Sequence, residues 1–417
     1  MVKIGVFSDT HIGRSVPKAI GELRREAFKN AFTQAINMFI QEKVDYVIHC
    51  GDVFERESMT PSDSIFVKNE FQRLIDNLSK EIKIFVLRGN HDGTIVNNAL
   101  NYIEHPLAKY FKLIGEETLE GKIEFYEETN FALVGMGYTP YVAYKFKSVQ
   151  ENIKKALKAS KASCKILLLH TFIDGHHDLP FGVPEHQKIS IKELKNLEAS
   201  IIISGHNHAK KDEEFEELTF LTPGSTEYYD LAEKDPHGIY ILELTNNIVN
   251  LKFKAIEPTY FVETVKIDGG KAVKNLDWFL NQALIEFKNY VKKLEKARKK
   301  GILRIMLKGI VNEDKYELEA KFKEKLSKHE SIIHLELENQ VEELTKPLQI
   351  SSTTTREEFL KGLFEPLGLE ALNEALNLTE EVDARLEEAG SQRSGLLKDL
   401  DRRRFVKKWL EILGVKD

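Results

Sequence analysis

Five short apolar runs in this chain end in side chains that can bind metal or move protons. "FSDTH" carries Asp9 and His11, and "CGDVF" carries Asp52. "RGNHD" carries Asn90, His91 and Asp92, "LLHT" carries His170, and "SGHNH" carries His206 and His208. In α/β sheets, ligand sites form at the carboxyl ends of strands. Neighbouring strand ends would bring these side chains to one point. Oxygen and imidazole donors without thiolate suit Mn, Fe, Zn, Co or Ni better than Ca or Mg, and exclude an iron–sulfur cluster. The candidate ligands Asp9, His11, Asp52, Asn90, His170, His206 and His208 are too many for one tetrahedral ion. They suit two divalent ions about 3.5–4 Å apart; such a pair activates water and clamps a phosphate for in-line attack. Asp52 is the natural bridge, because a carboxylate has two oxygens and an imidazole offers one lone pair per metal. Gly51 before it leaves room around it.

The elements that must position these residues are legible as apolar runs cut off by polar clusters. "KIGVF", "VDYVIHC", "IKIFVL", "FALVGMG", "CKILLL", "ASIIIS", "LTFL", "GIYILEL" and "NIVNLKFKAI" have the length and the Val/Ile/Phe content of buried strands. Helical patterns at 18–42, 61–79, 95–103, 148–159 and 190–196 alternate with the first of them. That order predicts an α/β sheet or sandwich with helices packed outside. Past residue 262 the texture changes. Two helix–strand pairs suggest a small α/β cap domain over 263–340. A polar stretch over 341–355 reads as a linker, and 356–417 reads as a helical tail.

With 417 residues the chain is too long for one ordinary core. Its net charge is −6, so a polyanionic partner must be met by a local patch or a metal rather than by bulk charge. Two cysteines, Cys50 and Cys164, sit inside apolar runs and form no disulfide framework, which points to a reducing, cytoplasmic compartment. No apolar run approaches the length that spans a bilayer, so no membrane association is expected. No "GxxxxGK[ST]" stretch is present, so ATP hydrolysis through a P-loop is not expected.

Taken together, "DTH", "GDVF", "GNHD", the His of "LLHT" and "GHNH" resemble the five motifs of the calcineurin-like metallophosphoesterases. Within that superfamily the layout resembles the SbcD and meiotic-recombination-eleven DNA repair nucleases. The resemblance implies a β-sandwich flanked by helices. It implies that Asp9, His11, Asp52 and His208 hold one metal and that Asp52, Asn90, His170 and His206 hold the other. By the same resemblance His91 is catalytic: it donates to the scissile phosphate or protonates the leaving oxygen. The implied partners are DNA, a second copy of the chain, and a coiled-coil ABC-type ATPase of the SbcC or Rad-fifty type gripped by the tail. Where the family often has "GDLFH", this chain has "GDVFE", and Glu55 there would repel phosphate.

Asp92 is expected to cap a helix or to orient His91. His176 and His177 in "DGHHD" are expected in a solvated loop. Arg14, Lys18, Arg24, Arg25, Lys210 and Lys211 rim the motifs and could hold DNA phosphates or lie on solvated faces. Ile65, Phe66, Ile95, Leu100 and Ile103 are the expected dimer contacts. In the tail, Phe359, Leu363, Leu367 and Leu372, then Leu397, Leu400, Phe405, Trp409 and Ile412, fall at helical spacings. The function expected from all this is a two-metal DNA exonuclease or endonuclease of double-strand-break repair. The rivals are a phosphoesterase for a nucleotide, a lipid phosphate or a phosphoprotein, and a non-catalytic scaffold on the same fold.

Overall fold

Most of the apolar runs become strands that are buried on both faces, which is why they read as near-continuous hydrophobic segments. In the computed structural model, the described residues are 1–78, 82–115, 123, 125–128, 130–215, 218–234, 236–245, 248–326, 329–344, 358, 360–361, 369–390 and 399–412. One six-stranded sheet runs, in spatial order, β14 (Ile248–Ala255), β13 (Gly238–Thr245), β1 (Val2–Phe7), β2 (Tyr46–His49), β3 (Lys83–Leu87) and β4 (Phe111–Ile114). The other runs β11 (Lys211–Phe215), β12 (Leu218–Thr222), β10 (Ile201–Gly205), β7 (Cys164–His170), β6 (Phe131–Met136) and β5 (Phe125–Glu127). β1 to β4 are parallel, as are β12, β10, β7 and β6.

The period of two along each strand sorts the side chains into layers. Ile4, Val6, Ile48, Phe85 and Leu87 of the first sheet meet Ile166, Leu168, Ile201 and Ile203 of the second in one core between the sheets. The alternate residues Phe7, Val47, Ile84 and Val86 face outward onto α1 (Gly21–Glu42) and α2 (Pro61–Asn77), through Phe28, Phe32, Phe39 and Phe71. Leu167, Leu169 and Ile202 face the opposite way onto α4 (Val142–Ala159), which buries Val142, Phe146, Val149, Ile153 and Leu157. The result is a helix–sheet–sheet–helix sandwich, as the strand order implied. Both cysteines are free and buried.

Several expectations are corrected. The helix expected at 95–103 is α3 (Asn101–Leu107); before it the chain makes a tight turn closed by Thr94 and Asn97. Leu100 and Ile103 are fully buried against α1 and α2 and cannot be dimer contacts, whereas Ile65 and Ile95 are exposed. β11 was not foreseen because "KDEEF" is charged, which suits an edge strand. The region after 260 has three strands rather than two: β15 (Phe261–Lys274), β16 (Gly301–Val311) and β17 (Ile332–Glu343). The first carries a Gly269-Gly270 pair and five charges, which hid it. Helices α6 (Leu276–Ala297) and α7 (Lys315–Lys325) alternate with these strands.

The chain divides into two compact units: Met1–Asp268 with Asp277–Lys308 and Glu319–Gln340, and Gly269–Leu276 with Gly309–Leu318 and Val341–Asp417. The second unit contains α8 (Leu369–Gly390) and α9 (Asp399–Ile412). Leu360, Leu372 and Ala375 are buried together there, with Leu376, Trp409 and Ile412 packed on them. Phe359, Leu363, Leu367, Leu397, the Leu400 side chain and most of the expected linker lie outside the described residues. Among the described residues no helix is long and apolar enough to cross a membrane.

Candidate metal centre

Asp9 and His11 follow β1, Asp52 follows β2, and Asn90 and His91 follow β3, three neighbouring strands of one sheet. His170 ends β7 and His206 and His208 follow β10, two neighbours in the other. Their donor atoms fall into overlapping groups: Asp9, His11 and His208; His11, Asp52 and His91; and Asp52, His170 and His206, each within 4.8 Å. The backbone bends sharply to present them. Asp9, His11, Asp52 and His206 have φ of 51°, 41°, 58° and 79°, left-handed values that Asp and His adopt more readily than most residues but that still mark a constrained site. A Cβ on Gly51 would come within 2.2 Å of His170 Nδ1, and one on Gly89 within 2.1 Å of Asp52 Oδ1. Those two glycines are what lets the strand ends close on each other.

The hydrogen bonds fix which nitrogen of each ring faces inward. His208 Nδ1 lies 2.9 Å from Glu233 Oε1, so that nitrogen carries the proton and Nε2 points at His11 Nε2, 3.2 Å away. Two imidazole nitrogens aimed at one point make a poor hydrogen bond and a good pair of ligands. His170 donates Nδ1–H to the Cys50 carbonyl at 2.7 Å, leaving Nε2 3.1 Å from Asn90 Oδ1 and 3.3 Å from Asp52 Oδ2. Asn90 Oδ1 is also 2.9 Å from His206 Nδ1, and the His206 N–H donates to Asp9. Asp52 Oδ2 faces both His170 and His11, the latter at 3.8 Å, while its Oδ1 accepts from the His91 backbone N–H at 2.8 Å.

Electrostatics follow from burial. Burial opposes charge on Asp52, but His170 and His11 outweigh it and hold the carboxyl well below its ordinary range. Burial works against the His170 imidazolium too, yet Asp52 raises it to about 9. Burial and the neighbouring His170 push His206 down to about 3. One buried carboxylate thus sits at the centre of a group of imidazoles and favours positive charge beside it.

The chain matches the calcineurin-like phosphoesterases over residues 2–210. It belongs to that family. Among curated relatives of this calcineurin-like phosphoesterase is the "DNA double-strand break repair protein Mre11" of Thermoplasma acidophilum, 29% identical over 62% of this chain and 67% of that one. The protein of the same name from Methanosarcina acetivorans is 27% identical over 64% of this chain and 41% of its own length. The "uncharacterized metallophosphoesterase YhaO" of Bacillus subtilis is 25% identical over 87% of this chain and 84% of that one. The chain therefore spans well under half of the Methanosarcina relative.

Several roles differ from expectation. Asp92 neither caps a helix nor touches His91. It is fully buried and accepts the backbone N–H of Asp52, Phe54 and Gly89 at 2.9, 3.0 and 2.9 Å, clamping the second and third motif loops together. Burial and the Asp52 charge push it up to about 7. His176 and His177 are buried, not solvated: both rings reach Thr222 Oγ1, and His176 Nδ1 lies 2.7 Å from Glu213. Arg24 is fully buried and binds Glu227 and the Tyr228 carbonyl. Glu55 is not turned loose on the cleft. Its Oε1 is 2.8 Å from Arg14, its Oε2 is 3.2 Å from His11 Nδ1, and its carbonyl takes His91 Nδ1–H at 2.8 Å.

Three supporting residues were not singled out from the sequence. His49 accepts the Gly51 N–H on Nδ1 and meets Thr10 Oγ1 at 3.0 Å, bracing the turn before Asp52. Glu233 holds His208 and also accepts the Tyr229 N–H at 2.8 Å. The Tyr229 ring lies 4.5 Å from His11 and 4.3 Å from His208, with the Arg14 guanidinium 3.3 Å above it. "VIHCGD" contains His49 in plain view, but nothing local signals its partner.

Proposed function

We propose that this metallophosphoesterase is a two-metal phosphodiesterase that cuts DNA at ends, the nuclease subunit of a repair complex. The observation that carries the reading is the convergence of donors from two sheets on Asp52, with His91 facing the same cleft. The donor set fits divalent metal: His208 Nε2 and His11 Nε2 meet with no proton acceptor between them. Asp9, His11, Asp52 and His208 would hold one ion, and Asp52, Asn90, His170 and His206 the other. When bound, such ions polarise a phosphate and activate water. The chain's own residues do the rest. Asp52 spans both ligand groups. His91 is fixed by its backbone bond to Asp52 and its ring bond to the Glu55 carbonyl, so Nε2 is the atom offered to substrate. A proton on that nitrogen donates to a phosphoryl oxygen and passes to the leaving oxygen as the P–O bond breaks.

DNA as substrate is supported by the names of the archaeal relatives. The organisation that goes with it is a nuclease domain over 1–262, a DNA-contacting cap over 263–340, a linker over 341–355 and an ATPase-binding tail over 356–417, in a reducing, cytoplasmic setting with manganese as the metal. A homodimer fits the exposed apolar residues Ile65, Ile95, Val96 and Tyr102 on and beside α2 and α3. A two-fold contact is self-complementary, so one introduced charge acts twice. Ile65→Glu should give monomer in sedimentation; wild-type protein that is monomeric at micromolar concentration ends that idea.

A second reading has one observation behind it. The Bacillus metallophosphoesterase, whose name gives no substrate, matches more of this chain than the repair proteins do. Incubation with labelled linear and hairpin DNA and Mn or Mg, with and without a coiled-coil ATPase, separates the readings. Cleavage that the ATPase stimulates, and that loses the stimulation when 350–417 are removed, supports the repair nuclease. Hydrolysis of bis-p-nitrophenyl phosphate without any DNA cleavage supports another substrate. Protein that retains no metal after purification in its presence supports the scaffold.

A further inference from the structure

We propose that an exposed aromatic shelf beside the metal centre, formed by Tyr141, Tyr144 and His186, stacks the unpaired bases of single-stranded DNA, while the lysine face of α4 tracks its phosphates. The inference rests on the DNA-nuclease reading and names a strand conformation that reading leaves open.

The shelf grows directly out of the site. Tyr138 lies with its ring 5.9 Å from His206 and 6.3 Å from His170. Three residues on, Tyr141 is 61% exposed and Tyr144 is 68% exposed, with their rings 6.5 Å apart. The His186 ring lies 5.4 Å from Tyr141 at an interplanar angle of 34°, nearer parallel than perpendicular. His186 belongs to a short turn (Glu185–Gln187) that packs on α4. That turn leads into β9 (Lys188–Ser190), which pairs with β8 (Phe172–Asp174) just after His170. Phe172, which opens β8, has its ring 4.4 Å from His206. Both segments that carry the shelf are thus anchored at the metal cleft. Single exposed aromatics are ordinary on a surface; here two exposed tyrosines touch, a half-buried His186 lies against Tyr141, and Tyr138 three residues before it reaches the candidate metal-binding histidines, so flat π-faces lie close to the cleft.

Charge complementarity singles out the occupant. The chain has a net charge of −6, yet from Val142 to Lys161 it carries Lys145, Lys147, Lys154, Lys155, Lys158 and Lys161 against Glu151 alone. Lys147, Lys155, Lys158 and Lys161 are exposed. Because the apolar side of α4 is sealed onto β6 and β7, these lysines lie on its outer side. Spacings of three and four put Tyr144, Lys147, Glu151, Lys155 and Lys158 along one side of the helix, three lysines against one carboxylate. α4 has 18 residues, roughly 27 Å at the usual rise. A stacking platform followed by a cationic track is how proteins hold single strands without reading sequence. Duplex bases are already stacked on each other and offer no free face to the tyrosines.

The test is fluorescence anisotropy of a labelled oligothymidylate on the full chain in EDTA, which prevents cleavage. Tyr141→Ala with Tyr144→Ala should weaken binding about 5- to 100-fold, the usual worth of base–aromatic stacking. Tyr141→Phe with Tyr144→Phe should restore it, since a stack needs the ring and not the hydroxyl. Lys147→Gln with Lys155→Gln should lower the slope of log affinity against log salt by about 0.7 per lysine. Equal affinity of wild type and the double alanine variant overturns the shelf while leaving the nuclease reading intact. The same holds if wild type cleaves linear duplex but holds no oligonucleotide, which would leave the shelf as a protein contact. Wild type that neither cleaves DNA nor holds the oligonucleotide sinks the reading beneath it as well.

Discussion

Asp52 and Glu381 are both carboxylates with two cationic or imidazole neighbours, one at the end of β2 and one on α8. Asp52 is almost fully buried between His11 and His170, in a left-handed turn, and gains a backbone N–H from His91. Glu381 sits on a helix surface with Arg404 and with Lys408 at 2.6 Å, its side chain about a third exposed. Water screens the second arrangement and ordering long side chains offsets what remains. In the first, the low-dielectric surroundings make every missing partner costly. The same chemical group is therefore expected to be decisive in one unit and dispensable in the other, and the difference is solvent rather than distance.

Asp52→Ala tests the decisive side. It should bring metal-dependent hydrolysis to background, because both proposed ions lose a ligand and their bridge; full activity in that variant would end the two-metal reading. Next in size is His91→Ala, which should keep both metals yet slow turnover about 10²–10⁴-fold, the worth of a positioned proton donor. Elemental analysis decides it, since loss of an ion together with activity would make His91 a ligand.

Glu233→Gln probes the layer behind the ligands. A neutral amide holds His208 less firmly, and such outer partners are commonly worth about 10–100-fold in metal affinity. Calorimetric titration with Mn measures it, and an unchanged affinity would show that His208 needs no partner. At the far end lies Glu381→Ala, for which thermal unfolding should move within error. A clear drop in midpoint would erase the contrast between the two carboxylates.

Much of the site was legible because chemistry interrupts pattern. A strand buried on both faces has no reason to end in Asp52 or His170, so those residues stood out against their own apolar runs. The supports did not stand out. Glu233 lies 25 residues beyond His208, in a loop whose composition is ordinary. His176 and His177 looked solvated because their neighbours are Gly175 and Asp178. Their partners Glu213 and Thr222 come from strands about 40 residues away, and one of those strands, β11, was itself hidden by its charge. Leu100 failed differently. Its apolar character was clear, but which side it faces depends on a turn at Thr94–Asn97 that shifts α3 by several residues. Local pattern gives an element's existence; partners far along the chain decide what its residues touch.

That long reach has a consequence for when the protein becomes competent. Asp9 and His206 touch although they are 197 positions apart in the chain, as do His11 and His208. Loop closure over such a span must precede any reward from the contact. During synthesis, β1, β2 and β3 leave the ribosome early, carrying Asp9, His11, Asp52, Asn90 and His91. They remain half a site until the second sheet arrives with His170, His206 and His208, and Glu233 emerges last to lock His208 in place. The candidate metal centre is in effect its own timer: an emerging chain cannot complete its ligand set until most of its first compact unit has been made.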